Sequence, residues 1–293
     1  MELSPDPMLN AFTVDVEDYF QVSAFESSVA RERWPEFESR VVANTLRIAD
    51  LLDESGVHGT FFILGWVAER FPDLVSELHS RGHEIGSHSY WHRLIYSQSP
   101  EEFREDLKRS RDVLQDLLGV RIRSYRAPSF SITQKSLWAL EILAEEGFTI
   151  DSSVFPVYHD RYGIAGARPD IHFQDTPSGR LTEFPPTIFK LGWCNLPVSG
   201  GGYFRLYPFA FTQYCLSQVN KRTKHPFMFY IHPWEVDPQQ PRLSGPSAMS
   251  KMRHYVNLHS TEVKLRMLLN RFKFGRADLV IADYTCANGS GDE

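Results

Sequence analysis

The chain has 293 residues, a formal net charge of −6 and 13% aromatic residues. That length can bury a large core, and negative charge without a long basic run excludes nucleic acid and anionic membranes as expected partners. Cys194, Cys215 and Cys286 are odd in number and lack metal-binding spacing, there is no basic-then-apolar leader, and no apolar run reaches membrane-span length. A reducing, cytoplasmic setting and the absence of a transmembrane segment are therefore expected.

Residues 9–16 alternate and are β-rich, and they deliver Asp15, Glu17 and Asp18 at their end. Three acids within four residues repel one another unless a cation sits among them. Residues 39–54 carry Val42, Leu46, Ala49 and Leu52 on one helical face, with Gly56 as a stop. The run 60–64 reads as a buried strand and 67–80 as a second helix ending at Gly82. Then comes Arg81-Gly82-His83-Glu84-Ile85-Gly86-Ser87-His88-Ser89-Tyr90-Trp91-His92. A helical turn starting near Ser87 would stack His88 and His92 on one face, able to grip a divalent metal once a third ligand arrives. A bare H-x-x-x-H is more often a surface pair. Here it follows a short strand and a glycine turn, the position where active sites of parallel α/β folds gather.

Ser99-Pro100-Glu101-Glu102 is a capping box opening a helix that buries Phe103, Leu107, Leu114 and Leu117 and stops at Gly119. Residues 122–126 form a strand ending in Arg126. Thr133 caps a helix running to Ala144, and 148–150 form a strand with Asp151 at its end. This alternation argues for a parallel sheet closed into a barrel. Residues 155–205 break the rhythm with Pro, Gly, Tyr and His and include Gly200-Gly201-Gly202-Tyr203. They read as loops plus a short strand at 181–184, laid over the strand-end face. A helix over 209–220 and a buried strand over 227–231 follow, the latter ending at His232. A polar loop runs to about Met249, then come a helix over 261–274, a strand over 278–282 and a disordered tail from Asn288.

Strand ends thus present Asp15, Glu17, Asp18, Arg126, Asp151 and His232 around His88 and His92, a constellation suited to metal-assisted hydrolysis. On these residues the chain resembles the polysaccharide deacetylases of carbohydrate esterase family 4. Thr60-Phe61-Phe62 and Gly82 to His92 match that family closely, and Arg126-Ala127-Pro128, Asp151-Ser152-Ser153 and Ile231-His232 match its later motifs in order. The resemblance covers about residues 10–235. Asp15-Val16-Glu17-Asp18-Tyr19-Phe20, the Gly200–Tyr203 run and the insert look more narrowly like deacetylases of exosortase-associated exopolysaccharide clusters.

The resemblance implies a distorted (β/α) barrel of about seven strands. One domain would span 1–293, with an insert at about 155–205 and a C-terminal extension at about 236–286. It implies metal-binding histidines at His88 and His92, a catalytic base at Asp15 held by Arg126, and a general acid at His232 oriented by Asp151. The metal is a divalent cation, zinc by expectation, and the substrate a carbohydrate containing N-acetylhexosamine. Two departures stand out. The family usually reads Thr-Phe-Asp-Asp-Gly where this chain has Thr13-Val14-Asp15-Val16-Glu17-Asp18, and Ser129 replaces a tyrosine after Pro128. On an extended backbone Asp15 and Glu17 point the same way, which favours Glu17 as the carboxylate ligand; a turn after Val16 would favour Asp18 instead. The expected activity is N-deacetylation of an exopolysaccharide or its lipid-linked precursor. The alternatives are deacylation of a smaller N-acyl or N-formyl sugar or a non-sugar amide, and a catalytically silent carbohydrate-binding relative.

Overall fold

The computed structural model describes residues 6–159, 162–245 and 248–288. In chain order its strands and α-helices begin β1 (Asp6–Val16), α1 (Val41–Glu54), β2 (Thr60–Ile63), α2 (Gly65–Arg70), α3 (Pro72–Ser80), β3 (Glu84–Ser87), α4 (Pro100–Leu118), β4 (Ser124–Tyr125), α5 (Trp138–Glu145) and β5 (Ile150–Asp151). Two hairpins follow, β6 (His172–Thr176) with β7 (Gly179–Glu183) and β8 (Ile188–Leu191) with β9 (Cys194–Pro197). The chain continues through α6 (Gly201–Leu206), α7 (Phe209–Thr223), β10 (Met228–Ile231), α8 (Ala248–Tyr255), α9 (Thr261–Arg271), β11 (Phe272–Gly275) and α10 (Ala277–Asn288).

β1 is the strand on which the sheet assembles. Its upper half pairs in parallel with β10 on Ala11–Val14 and with β2 on Thr13–Val16, while its lower half pairs with β11. Ala11, Phe12, Val14 and Val16 are all buried, as a strand covered on both faces requires. From there the ladder runs β10-β1-β2-β3-β4-β5-β7-β6, every pair parallel except the β6–β7 hairpin. Phe61 and Ile63 of β2 are fully buried in the main apolar cluster, and Phe62, on the opposite face, is fully buried beside Arg126. Each such side chain stabilises the fold by about 1.5–3 kcal/mol relative to exposure.

Among the described residues the result is a mostly parallel sheet of nine strands, and no ladder closes it into the distorted barrel of about seven that the sequence suggested. Among the described residues no ladder joins β6 or β7 to β10. Pro185 and Pro186 follow one residue after β7 and have no N–H to extend a ladder. The free edge of β10 is covered by irregular chain instead. The Met228 N–H donates to Thr187 Oγ1 at 2.8 Å, and the Tyr230 N–H to the Ser199 carbonyl at 2.9 Å. Glycine is required at that crossing, because a Cβ on Gly200 would lie 1.9 Å from the Tyr230 carbonyl oxygen.

Other expectations change too. The helix expected to be capped by Thr133 starts at Trp138 with no side-chain cap, and the single short strand of the 155–205 stretch is joined by three more. The helix over 67–80 is two helices, broken at Phe71 (φ −131°, ψ 61°) because Pro72 disfavours a helical residue before it. The helix over 261–274 ends at Arg271, and its last residues form β11. The strand over 278–282 belongs to α10, where Ala277, Val280 and Ile281 are buried and Leu279 is exposed at helical spacing. Of the expected disordered tail, Asn288 closes α10, and residues 289–293 lie outside the described residues.

Candidate active site

The C-terminal ends of β1, β3, β4 and β10 converge, and each supplies part of the site. Asp15 and Glu17 leave β1 buried. Arg126, just past β4 and fully buried, donates from Nη1 to Asp15 Oδ1 at 2.6 Å and to Thr13 Oγ1 at 2.8 Å. Its Nη2 donates to Ser152 Oγ at 2.9 Å, and the guanidinium lies 4.2 Å from the Phe62 ring centroid. A buried ion pair is tolerable when its remaining polar atoms are satisfied in this way.

His88 and His92 do not sit on a helical turn. β3 ends at Ser87, and the chain then loops with positive φ at Ser89 (65°) and His92 (51°). The loop is stapled to α4 by buried Asp106, whose carboxylate accepts the Tyr90 N–H at 2.7 Å and the Trp91 N–H at 3.1 Å. Gly65 donates its N–H to the Ser89 carbonyl at 2.9 Å, and a Cβ there would stand 2.5 Å from the Tyr90 ring. The two imidazoles end 5.4 Å apart between centroids.

The Arg126 carbonyl lies 2.8 Å from His88 Nδ1. A carbonyl only accepts, so Nδ1 carries the proton and Nε2 keeps its lone pair for a ligand. Burial, with His92 close by, pushes the His88 imidazole down to about 4 despite the opposing pull of Asp15 and Glu17, so it is neutral at pH 7. Burial alone would raise the Glu17 carboxyl, but His92, His232 and His88 bring it down to about 2. Glu17 Oε2 lies 2.6 Å from His92 Nε2, and its Oε1 accepts the Trp234 indole N–H at 3.1 Å. Glu17, His88 and His92 each offer a buried ligand atom, all within 4.8 Å of one another.

Asp18 is elsewhere. Its Oδ2 accepts the Ser39 hydroxyl at 2.6 Å and the backbone N–H groups of Arg40 and Val41 at 2.9 and 3.2 Å, while Oδ1 accepts the Tyr19 N–H. It closes the start of α1, where N–H groups lack intrahelical partners and favour an acid. Among the candidate carboxylate ligands the structure brings Glu17, not Asp18, to the histidines.

Asp151 is also misplaced for the role the resemblance implies. Its Oδ1 accepts the Ser153 hydroxyl at 2.5 Å, and its carboxyl pairs with Glu183, burial raising both. The partner of His232 is Glu235. Glu235 Oε1 lies 2.7 Å from His232 Nδ1 and accepts the His232 backbone N–H at 3.1 Å. Glu235 Oε2 is held at 2.6 Å by Arg205 Nε, and Arg205 donates in turn to the carbonyls of Arg253, His254 and Val256. Burial would lower the His232 imidazole, but the Glu235 hydrogen bond and the charges of Glu17, Glu235 and Asp15 lift it to about 9. His232 Nε2 faces Asp15 Oδ2 at 3.9 Å and Glu17 Oε1 at 3.8 Å.

Sequence reasoning missed Trp234, Glu235 and Arg205. The pattern His232-Pro233-Trp234-Glu235 carried a signal, an acid three residues after a turn-opening residue with proline between, which is a capping-box spacing. Arg205 carried none.

A buried carboxylate facing a part-buried histidine, beside a His/His/carboxylate cluster at the strand ends of a mostly parallel α/β sheet, is a hydrolase arrangement. Residues 34–148 match the polysaccharide deacetylase family model, and residues 152–282 match a domain of unknown function, DUF3473. A Bacillus cereus peptidoglycan-N-acetylglucosamine deacetylase is 35% identical over 98 residues, 33% of this chain and 36% of its own. A Helicobacter pylori peptidoglycan deacetylase is 25% identical over 171 residues, 56% of each chain. The alignments therefore span well under two thirds of either relative. Among solved structures, a Mycobacterium smegmatis protein assigned as a polysaccharide deacetylase superposes with a TM-score of 0.60 at 20% identity, over 98% of this chain and 96% of that one. Puue allantoinase does so with a TM-score of 0.57 at 14% identity, over 94% and 89%. The fold is shared with both. Residues 34–148 are thus similar to polysaccharide deacetylases, and the aligned parts of the two relatives belong to proteins named as peptidoglycan deacetylases.

Proposed function

We propose that the protein is a metal-dependent N-deacetylase acting on amino-sugar residues of an exopolysaccharide or its lipid-linked precursor, of the exosortase-associated type, with the whole chain working as one catalytic unit. The observation that carries the reading is the Arg126-held Asp15 carboxylate facing His232 across the Glu17, His88 and His92 cluster. The donor set fits a divalent cation. His88 keeps its Nε2 lone pair, and the buried Glu17 carboxylate and both imidazoles bring ligand atoms within 4.8 Å of one another. Two histidines and a carboxylate suit zinc. When bound, such an ion polarises an amide carbonyl and makes a water acidic near neutral pH. Arg126 occupies Asp15 Oδ1, which leaves Oδ2 to accept a proton from the attacking water. His232, protonated at Nε2 and held at Nδ1 by Glu235, donates a proton to the leaving amine.

The test is acetate release from N-acetylglucosamine oligomers by purified protein, before and after chelation and after zinc is returned. Zinc-dependent release that is lost in His88→Ala is expected. No release with any divalent metal would overturn the reading.

A further inference from the structure

Residues 232–256 fall inside the match to a domain of unknown function, and one of their side chains reaches the metal cluster from behind. Trp234 lies in the short 3-10 turn Pro233–Val236 after β10. Its indole is buried in a stack of three rings. The His232 ring lies 5.2 Å away at 20° on one side, and the His254 ring 4.1 Å away at 19° on the other. His254 Nε2 meets Gln240 Oε1 at 2.8 Å, and Gln240 Nε2 donates to the Trp234 carbonyl at 2.7 Å. Ring and backbone are thus both fixed, and the indole N–H has a single aim, Glu17 Oε1 at 3.1 Å.

Building on the metal site proposed above, we infer that Trp234 is a positioning residue for the carboxylate ligand. A free carboxylate can rotate or offer both oxygens. With Oε1 held by a rigid donor, Glu17 turns Oε2 toward the histidines, 2.6 Å from His92 Nε2. The donor type matters as well. An indole N–H stabilises the ionised carboxylate without bringing a positive charge that would repel a cation, as lysine or arginine would. Second-sphere donors to metal ligands are commonly worth about 10–100-fold in metal affinity.

The experiment is competition for zinc against a chromophoric chelator, using the full chain and Trp234→Phe, with thermal unfolding run in parallel. Phenylalanine keeps an aromatic ring in the stack and removes the N–H, and the parallel unfolding curve reads the cost of its smaller ring. The expected result is a zinc dissociation constant raised about 10–100-fold, with kcat restored at saturating zinc. His254→Leu keeps the N–H but loosens the ring. It should weaken zinc in the same direction by less, and it serves as the test if the phenylalanine variant does not fold. Wild-type zinc affinity in the folded variants would overturn the inference and leave the metal site standing. Wild-type protein that binds no zinc would overturn the metal site itself.

Discussion

Glu235 touches His232 twice, at the ring and at the backbone, and each contact has a different consequence. The backbone contact fixes where the turn after β10 begins, and the ring contact sets the tautomer and the charge. Burial by itself would leave His232 neutral at pH 7. The Glu235 bond and the surrounding carboxylates raise it to about 9, so the acid form persists through neutral pH. An acid catalyst loses activity as pH rises through its pKa. Glu235→Gln lowers that pKa, so the alkaline limb of the pH–rate profile should move to lower pH while zinc stays bound. Asp151→Asn should leave the limb where it is. A limb that shifts with Asp151 and not with Glu235 would reverse the assignment. His232→Ala should keep zinc and lose about 10²–10⁴-fold in turnover. The acids of the first strand separate in the same way. Glu17→Gln should weaken zinc binding. Asp18→Ala should spare it and instead destabilise α1, by about 1 kcal/mol, the cost of a lost helix-start acceptor. Zinc titration and denaturant unfolding of the two variants check both statements.

At the scale of elements, the loop from Ser87 to His92 takes two of its backbone contacts from one buried side chain. Asp106 on α4 takes both the Tyr90 and Trp91 N–H groups, so Asp106→Ala orphans two amides at about 1–3 kcal/mol each. A lower unfolding midpoint together with weaker zinc binding is expected. Full zinc affinity in a destabilised protein would mean that the loop is held by other contacts. This loop also shows what sequence can carry. The strands around it were legible because buried parallel strands are short apolar runs, and the start of α4 because its capping box is local. His88 and His92 were legible as a pair, but not their conformation. Four-residue spacing fits a helix, while the φ values of Ser89 and His92 are imposed by Asp106 and Gly65, distant in sequence or in another element. β11 and α10 were exchanged for a related reason, since a run such as Leu279-Val280-Ile281-Ala282 has no period until its partners are known. Asp15, Arg126 and His232 come together as the motif order implied. Glu235 took the place expected of Asp151 because the buried Glu183 carboxyl, from a hairpin the motif order does not describe, occupies Asp151.

Across the whole molecule the 155–205 insert is tied to the site at one end and open to solvent at the other. Ile188 of β8 packs in one cluster with Phe130, Phe155, Val157 and Tyr230. Phe130 adjoins Ser129, whose hydroxyl bonds Ser23 beside His92, and Tyr230 stands two residues before His232. From that root the β8–β9 hairpin runs out to a two-residue turn with Gly192 at φ 61°, and its tip exposes Leu191 by 62% and Trp193 completely. Tyr158, earlier in the insert, is 93% exposed. A tip built only for packing would bury its indole. One rooted on residues flanking the catalytic groups, with an aromatic face left free, suits a sugar ring lying some distance from the bond being cut. Trp193→Ala should therefore raise KM for N-acetylated hexamers about 3–10-fold, a loss of about 0.5–1.5 kcal/mol. Its kcat should hold, and so should KM for a disaccharide too short to span site and tip. Steady-state kinetics on a ladder of chain lengths reads this directly. A rise in KM that is the same for disaccharide and hexamer would assign the hairpin to shaping the pocket, and no change at any length would leave the exposed indole outside the path of the glycan.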